Sequence, residues 1–215
     1  MTTYRCLILD LDGTVVDSHA YTFAAFRHAC VPFRTPPADA EILAAFGPDE
    51  AVILRGLVGA QAAPAAYARL QVYYREHVRD LRLRPEMRAL LDDCGRAGIR
   101  RGLFTGRGSE STRLVLAALD LGLRFDAVVA GDQARPKPAA DGVRVLLATL
   151  GAAAAETLLV GDSELDSRRR RARARIRPWR SGTGAHCLHP ARASGIPTIS
   201  SPFSACAEGS GRGVA

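Results

Sequence analysis

Lysine is almost absent from this 215-residue chain: of its 29 basic residues only Lys137 is not arginine. Where Arg, Ala, Gly and Pro are favoured throughout, as in GC-rich coding sequence, a retained lysine needs a task that arginine does not meet. Cysteine is scarce too. The five present, Cys6, Cys30, Cys94, Cys187 and Cys206, are odd in number and include no C-x-x-C pair, which argues against a disulfide framework and for a reducing cytoplasm. No run of 18 apolar residues occurs, and the N-terminus lacks a basic region followed by a cleavage site. The sequence therefore reads as soluble and unexported, with no membrane partner. Disorder over the whole length is excluded by 47% hydrophobic and 24% charged residues. The length suits one domain, or one domain with an insertion.

The net charge of +7 resides in one place. Residues 167–215 carry ten Arg against the single acid Glu208, whereas residues 1–166 are slightly acidic, at −2. A basic body that binds nucleic acid is thus not indicated; only the tail is basic.

Apolar runs at 4–9, 99–104, 126–130 and 157–161 read as strands, and 17–30, 86–97, 109–120 and 139–150 as helices. Between about 17 and 80, prolines separate helical segments and no good strand is evident. From Pro85 onward strands and helices alternate, which implies a Rossmann-like α/β core with a parallel sheet and helices on both faces. The expected division is a core of residues 1–17 and 85–215 with a helical insertion over 18–84. A fifth strand at 175–179 has a poor signal.

Polar clusters stand at the ends of three of these strands, the edge of a parallel sheet where ligands bind. Asp10 and Asp12 are spaced i, i+2, so both carboxylates can face one crevice. Asp162 and Asp166 follow the last strand. Four aspartates crowded together resist ionising unless countercharge is supplied. A divalent cation such as Mg²⁺, which prefers oxygen ligands, and the compact charge of Lys137 would supply it.

The ordered motifs Asp10-Leu-Asp-Gly-Thr14, Thr105, Lys137 in Arg-Pro-Lys-Pro and Gly161-Asp-Ser-Glu-Leu-Asp166 resemble those of the haloacid dehalogenase-like hydrolase superfamily. Gly47-Pro, Tyr74-Arg-Glu-His, Leu121-Gly-Leu, Phe125-Asp-Ala-Val-Val and Gly131-Asp resemble its phosphoglycolate phosphatase-like branch, whose helical cap corresponds to 18–84. The resemblance implies a phosphatase acting on a small phosphorylated metabolite, as a monomer or homodimer. Asp10 would be the nucleophile, forming an aspartyl phosphate, and Asp12 the acid and base. Asp10, the backbone carbonyl of Asp12 and Asp162 would hold Mg²⁺. Thr105, Gly106 and Lys137 would bind the phosphoryl group, with Asp166 supporting the metal or Lys137 from outside. Gly106 departs from the Asn common after this threonine. His19, Tyr21 and Arg55 are candidates for substrate selection, against the plainer reading of each as an ordinary helix residue.

Other members of the superfamily separate on residue logic. Asp12 favours phosphoryl chemistry over dehalogenation, and the absence of a lysine from 18–84 excludes phosphonate hydrolysis through a Schiff base. A sugar phosphomutase of the β-phosphoglucomutase type shares the motifs and stays open. So does a non-catalytic phosphate acceptor with a basic, nucleic-acid-binding tail. The run Arg168 to Arg171 and the Arg, Gly, Ala and Pro that follow fit a basic arm, a variant last unit, or a reading frame that is not the ancestral one. His186-Cys-Leu-His189 lacks the further ligands of a metal site.

Overall fold

A computed structural model describes residues 4–162. Asp166, the arginine run and the weak strand expected at 175–179 lie outside the described residues. Strand β1 (Cys6–Leu9) is buried along its whole length, because it lies between two neighbours in a sheet ordered β5-β4-β1-β6. These are β4 (Arg100–Phe104), β5 (Ala127–Val129) and β6 (Thr157–Val160). Every pairing is parallel: Leu9 stands opposite Leu103 on one side and Val160 on the other. All four strands therefore end at the same edge.

The alternation of the strand pattern sorts the side chains into two layers. Leu7, Leu9 and Leu103 face one way, onto a core that includes Leu91 of α5 (Pro85–Arg96) and Val115 of α6 (Ser109–Ala118). Cys6, Ile8 and Phe104 face the other, with Leu146 and Leu150 of α7 (Asp141–Leu150). The expected covering of both faces is thus observed. Gly102 suits its strand position because a Cβ there would press on Ile8 and Leu150. Helix α5 starts at Pro85, whose missing N–H costs nothing at that position. Helix α7 ends on Gly151 in the left-handed conformation.

Four helices lie between the first two strands of the core: α1 (His19–Cys30), α2 (Asp39–Ala45), α3 (Glu50–Val58) and α4 (Ala63–His77). Asp49 caps α3 by accepting from the backbone N–H groups of Ala51 and Val52, at 2.8 and 3.2 Å. Phe26, Leu54, Leu70 and Tyr74 of these helices are buried and continue the core of the α5/α6 face without a break. β2 (Val16–Asp17) and β3 (Arg82–Leu83) pair antiparallel, clamping the entry to the helical segment against its exit. Two residues per strand are too few for a readable hydrophobic period. Among the described residues Cys6, Cys30 and Cys94 are buried and unbridged, and no helix is long and apolar enough to cross a membrane.

Candidate active site

The loops after β1, β4, β5 and β6 converge at the common edge. Asp10 extends the ladder past β1, its N–H donating to Val160 O at 2.9 Å, which sets it beside the start of the Gly161-Asp162 loop. Its side chain is buried, and Oδ1 accepts from Lys137 Nζ at 2.6 Å. Lys137 is buried as well, with its ammonium 5.0 Å from the centre of the Phe104 ring. It comes from the loop between β5 and α7, where Lys137-Pro138 is a cis peptide. Phe104 supports that loop from β4. Gly142 in the first turn of α7 lies so close to the ring that a Cβ would overlap it. The pair of the only lysine with Asp10 supplies the countercharge anticipated from the sequence.

The loop after β1 folds back on itself: the N–H groups of Val15 and Val16 both donate to Leu11 O at 2.9 Å. Gly13 has φ 74°, a conformation that favours glycine. Its Cα faces Asp162 so closely that a Cβ would overlap the Asp162 carboxylate. His19 Nε2 stands 3.8 Å from Asp162 Oδ2. These distances place Asp162 over the first loop.

Asp12 is directed elsewhere. Its Oδ1 accepts from Ser18 Oγ at 2.5 Å and from Arg107 Nη2 at 2.6 Å, and Oδ2 accepts from Arg107 Nε at 3.2 Å. Burial by itself would raise this carboxyl's pKa, but the charge and hydrogen bonds of Arg107 outweigh it and hold Asp12 below the usual carboxylate range.

Arg107 is only 4% exposed. Its Nη2 also donates to Thr22 Oγ1 at 2.9 Å, and its guanidinium lies 4.8 Å from the centre of the Tyr74 ring. Nη1 is buried with no hydrogen-bond acceptor among the described residues, 3.9 Å from Glu50 Oε1. Glu50, at the start of α3, accepts from Gly108 N–H at 2.6 Å and Ser111 Oγ at 2.5 Å. It thereby caps α6 from outside. Burial pushes the Glu50 carboxyl above its usual range, with Arg107, Ser111 and Gly108 offsetting only part of the effect. Asp132 takes the next donors, Ser109 N–H at 3.1 Å and Ser109 Oγ at 2.6 Å.

Thr105 directly follows β4, fully buried, and its Oγ1 accepts from Arg107 N–H at 3.0 Å. With Gly108 and Ser109 committed to carboxylates, the Gly106 N–H is the loop amide with no acceptor among the described residues. Gly106 O faces Gly131, where a Cβ would overlap it. Gly131 N–H donates to Arg107 O at 2.7 Å, so a side chain at 131 would force the two loops apart.

The donor set at this edge consists of oxygens: the Asp10 and Asp162 carboxylates at the ends of adjacent strands, and the backbone carbonyls of the first loop. The described residues contain no group of three His, Cys, Asp or Glu side chains placed to bind a metal. Two carboxylates and a carbonyl, completed by water and phosphate oxygens, suit Mg²⁺. Asp166 lies outside the described residues.

The substrate-selecting candidates separate. Tyr21 is buried, stacks on Tyr74 with ring centres 5.0 Å apart and donates to Tyr74 O at 2.9 Å, which makes it a packing residue. Arg55 is exposed on α3 beside a surface hollow lined by Ala51, Pro64 and Tyr67. Only His19 reaches the edge. Sequence reasoning missed Arg107 and Glu50. In a chain with so many arginines Arg107 carried no signal beyond its place two residues after Thr105, and Glu50 reads as an ordinary first-turn acid.

Known proteins resemble this chain over most of its length. Residues 7–173 match the haloacid dehalogenase-like hydrolase family. Phosphoglycolate phosphatase from Cereibacter sphaeroides is 32% identical over 174 residues, covering 75% of this chain and 78% of the relative. That from Pectobacterium atrosepticum is 30% identical over 179 residues, covering 77% and 75%. Pyrophosphatase PpaX from Bacillus velezensis is 26% identical over 163 residues, covering 74% and 75%. The fold is shared with the crystal structure of a predicted phosphoglycolate phosphatase from Haemophilus somnus, at a TM-score of 0.73 and 18% identity over 84% of this chain and 86% of that one. A hydrolase from Pseudomonas syringae gives a TM-score of 0.70 at 24% identity, covering 79% and 81%. The chain belongs to the haloacid dehalogenase-like hydrolase family, as one of its phosphoric monoester hydrolases.

Proposed function

We propose that this chain is a Mg²⁺-dependent phosphatase of small organic phosphate monoesters, phosphoglycolate-like in substrate, that turns over through an aspartyl phosphate on Asp10. The supporting observation is the buried Asp10–Lys137 pair at 2.6 Å, at the ends of parallel strands with Asp162 next door. The relatives named phosphoglycolate phosphatase supply the substrate class.

In this reading an Asp10 oxygen attacks phosphorus while the bond to the leaving oxygen breaks, splitting one hard displacement into two. Lys137 holds Asp10 in orientation and neutralises charge on the phosphoryl oxygens. The Thr105 hydroxyl and the Gly106 N–H bind those oxygens. Asp12 gives its proton to the leaving oxygen, then takes one from the water that attacks phosphorus and frees Asp10. Ionised beside Arg107, Asp12 is already in the form the second step needs. Arrival of the anionic phosphate beside it favours the protonated form the first step needs. Bound by Asp10, the Asp12 carbonyl and Asp162, Mg²⁺ would screen the phosphate from the carboxylate attacking it. The helical segment 18–84 serves as the cap that shields the site from bulk water.

The test is phosphate release from a panel of metabolite phosphates that includes phosphoglycolate and pyrophosphate. Expected is multiple turnover with Mg²⁺, its loss with EDTA, its return on adding Mg²⁺, and its abolition in Asp10→Asn. One equivalent or less would mark an acceptor instead. Interconversion of sugar phosphates without phosphate release would mark a mutase.

A further inference from the structure

Arg107 is a buried charge among the described residues that takes no direct part in the reaction above. Two of its three nitrogens grip both oxygens of Asp12, Nε at 3.2 Å and Nη2 at 2.6 Å. A two-point grip of this kind fixes the plane of a carboxylate as well as its position, which a lysine does not do. The guanidinium is seated almost wholly by the helical segment: Thr22 of α1 accepts from Nη2 at 2.9 Å, Tyr74 of α4 lies 4.8 Å away, and Glu50 of α3 stands 3.9 Å from Nη1. Ser18, one residue before α1, holds the remaining side of the Asp12 carboxylate.

We infer that Arg107 is a positioning residue for Asp12, and that the helical segment, by seating Arg107 through Thr22 and Glu50, aims the Asp12 carboxyl at the leaving oxygen. Proton delivery to the leaving group thereby depends on the segment being in place. The inference rests on the phosphatase reading and assigns Arg107 no contact with substrate.

The prediction separates positioning from general structural support through the chemistry of the leaving group. An alkoxide is too basic to depart without a proton, whereas a nitrophenolate departs with little help. A variant that misaims Asp12 should therefore lose more kcat/KM, which reports steps up to leaving-group departure, on an alkyl phosphate than on an aryl phosphate. Arg107→Lys keeps the charge and removes the two-point grip. Thr22→Val keeps the volume and removes one acceptor of Arg107.

The experiment measures kcat/KM for phosphoglycolate and for p-nitrophenyl phosphate in the full-length parent and both variants with saturating Mg²⁺. In Arg107→Lys the alkyl-to-aryl ratio should fall by up to about 10²-fold, the order of effect that a misplacement of about 1 Å produces. In Thr22→Val it should fall in the same direction by a smaller factor. Equal losses on both esters in both variants would overturn the inference, and a fall in Arg107→Lys alone would remove the helical segment's part in it. If Arg107→Lys does not fold, Thr22→Val decides by itself. A parent that cleaves neither ester refutes the phosphatase reading instead, and is seen before either variant is made.

Discussion

Two carboxylates two residues apart, Asp10 and Asp12, are held in different ways. Asp10 rests on the α/β core: its backbone is bonded to β6 and its side chain to Lys137, whose ammonium lies by Phe104 of β4. Asp12 rests on a relay that leaves the core, through Arg107 to Thr22 and Glu50. A nucleophile must keep one position through the cycle, and strand ends provide it. An acid and base that serves the leaving group is better tied to the element that closes over that group. In the proposed reaction the difference lets one short loop serve both requirements.

The sharpest way to break this comparison is at Asp10. Asp10→Asn should reduce phosphate release to the uncatalysed background, because the amide cannot form the aspartyl phosphate. Asp12→Asn should lower kcat by about 10²–10⁴-fold, the usual worth of a positioned acid or base. Phosphate-release assays check both, and an Asp10→Asn enzyme as active as Asp12→Asn would erase the division of labour.

On the Arg107 side the largest expected effect is on stability. Arg107→Met leaves the buried Glu50, and the half-buried Asp12, without their shared cation, and loss of one member of a buried ion group costs about 3–5 kcal/mol. Urea unfolding measures it. Adding Glu50→Gln to Arg107→Met should recover part of the loss, and a strictly additive double variant would show that Glu50 and Arg107 do not interact.

The pH dependence of the Arg107 group has opposite signs at its two acids. Asp12 has a lowered pKa, so its contribution is present above the unfolded-state value and lost as pH falls through the lowered one. Glu50 has a raised pKa, so its contribution is complete below the unfolded-state value and is lost as pH rises through the raised one. The stability of the parent relative to Glu50→Gln should therefore decline from about pH 4 upward, the ordinary range of a glutamate. A relative stability that rises over that window would contradict the burial of Glu50. The smallest effect is expected at the neighbouring residue. Asp49→Ala removes the cap of α3 and should cost about 1 kcal/mol in thermal unfolding, without changing the alkyl-to-aryl ratio.

Much of this molecule was legible beforehand because its determinants are local. The apolar run ending at Asp10 reads as a strand from its own residues, and so do those ending at Thr105 and Asp162. Parallel order then brings those ends together. Lys137 stood out because lysine is otherwise missing. The short pair β2 and β3 was not legible, since two-residue strands have no period and exist only because the chain passes twice through one junction.

By itself, then, the sequence determined the strand ends and the family, and it marked the residues proposed for the phosphoryl site by residue type at a fixed place after an apolar run. Tertiary structure alone decided which arginine serves Asp12 and Glu50. Arg107 is 95 residues from Asp12, 85 from Thr22 and 57 from Glu50. At such separations only the packing of the helical segment on the core determines which of many equivalent arginines is buried, and a buried guanidinium must find carboxylates to repay its lost hydration.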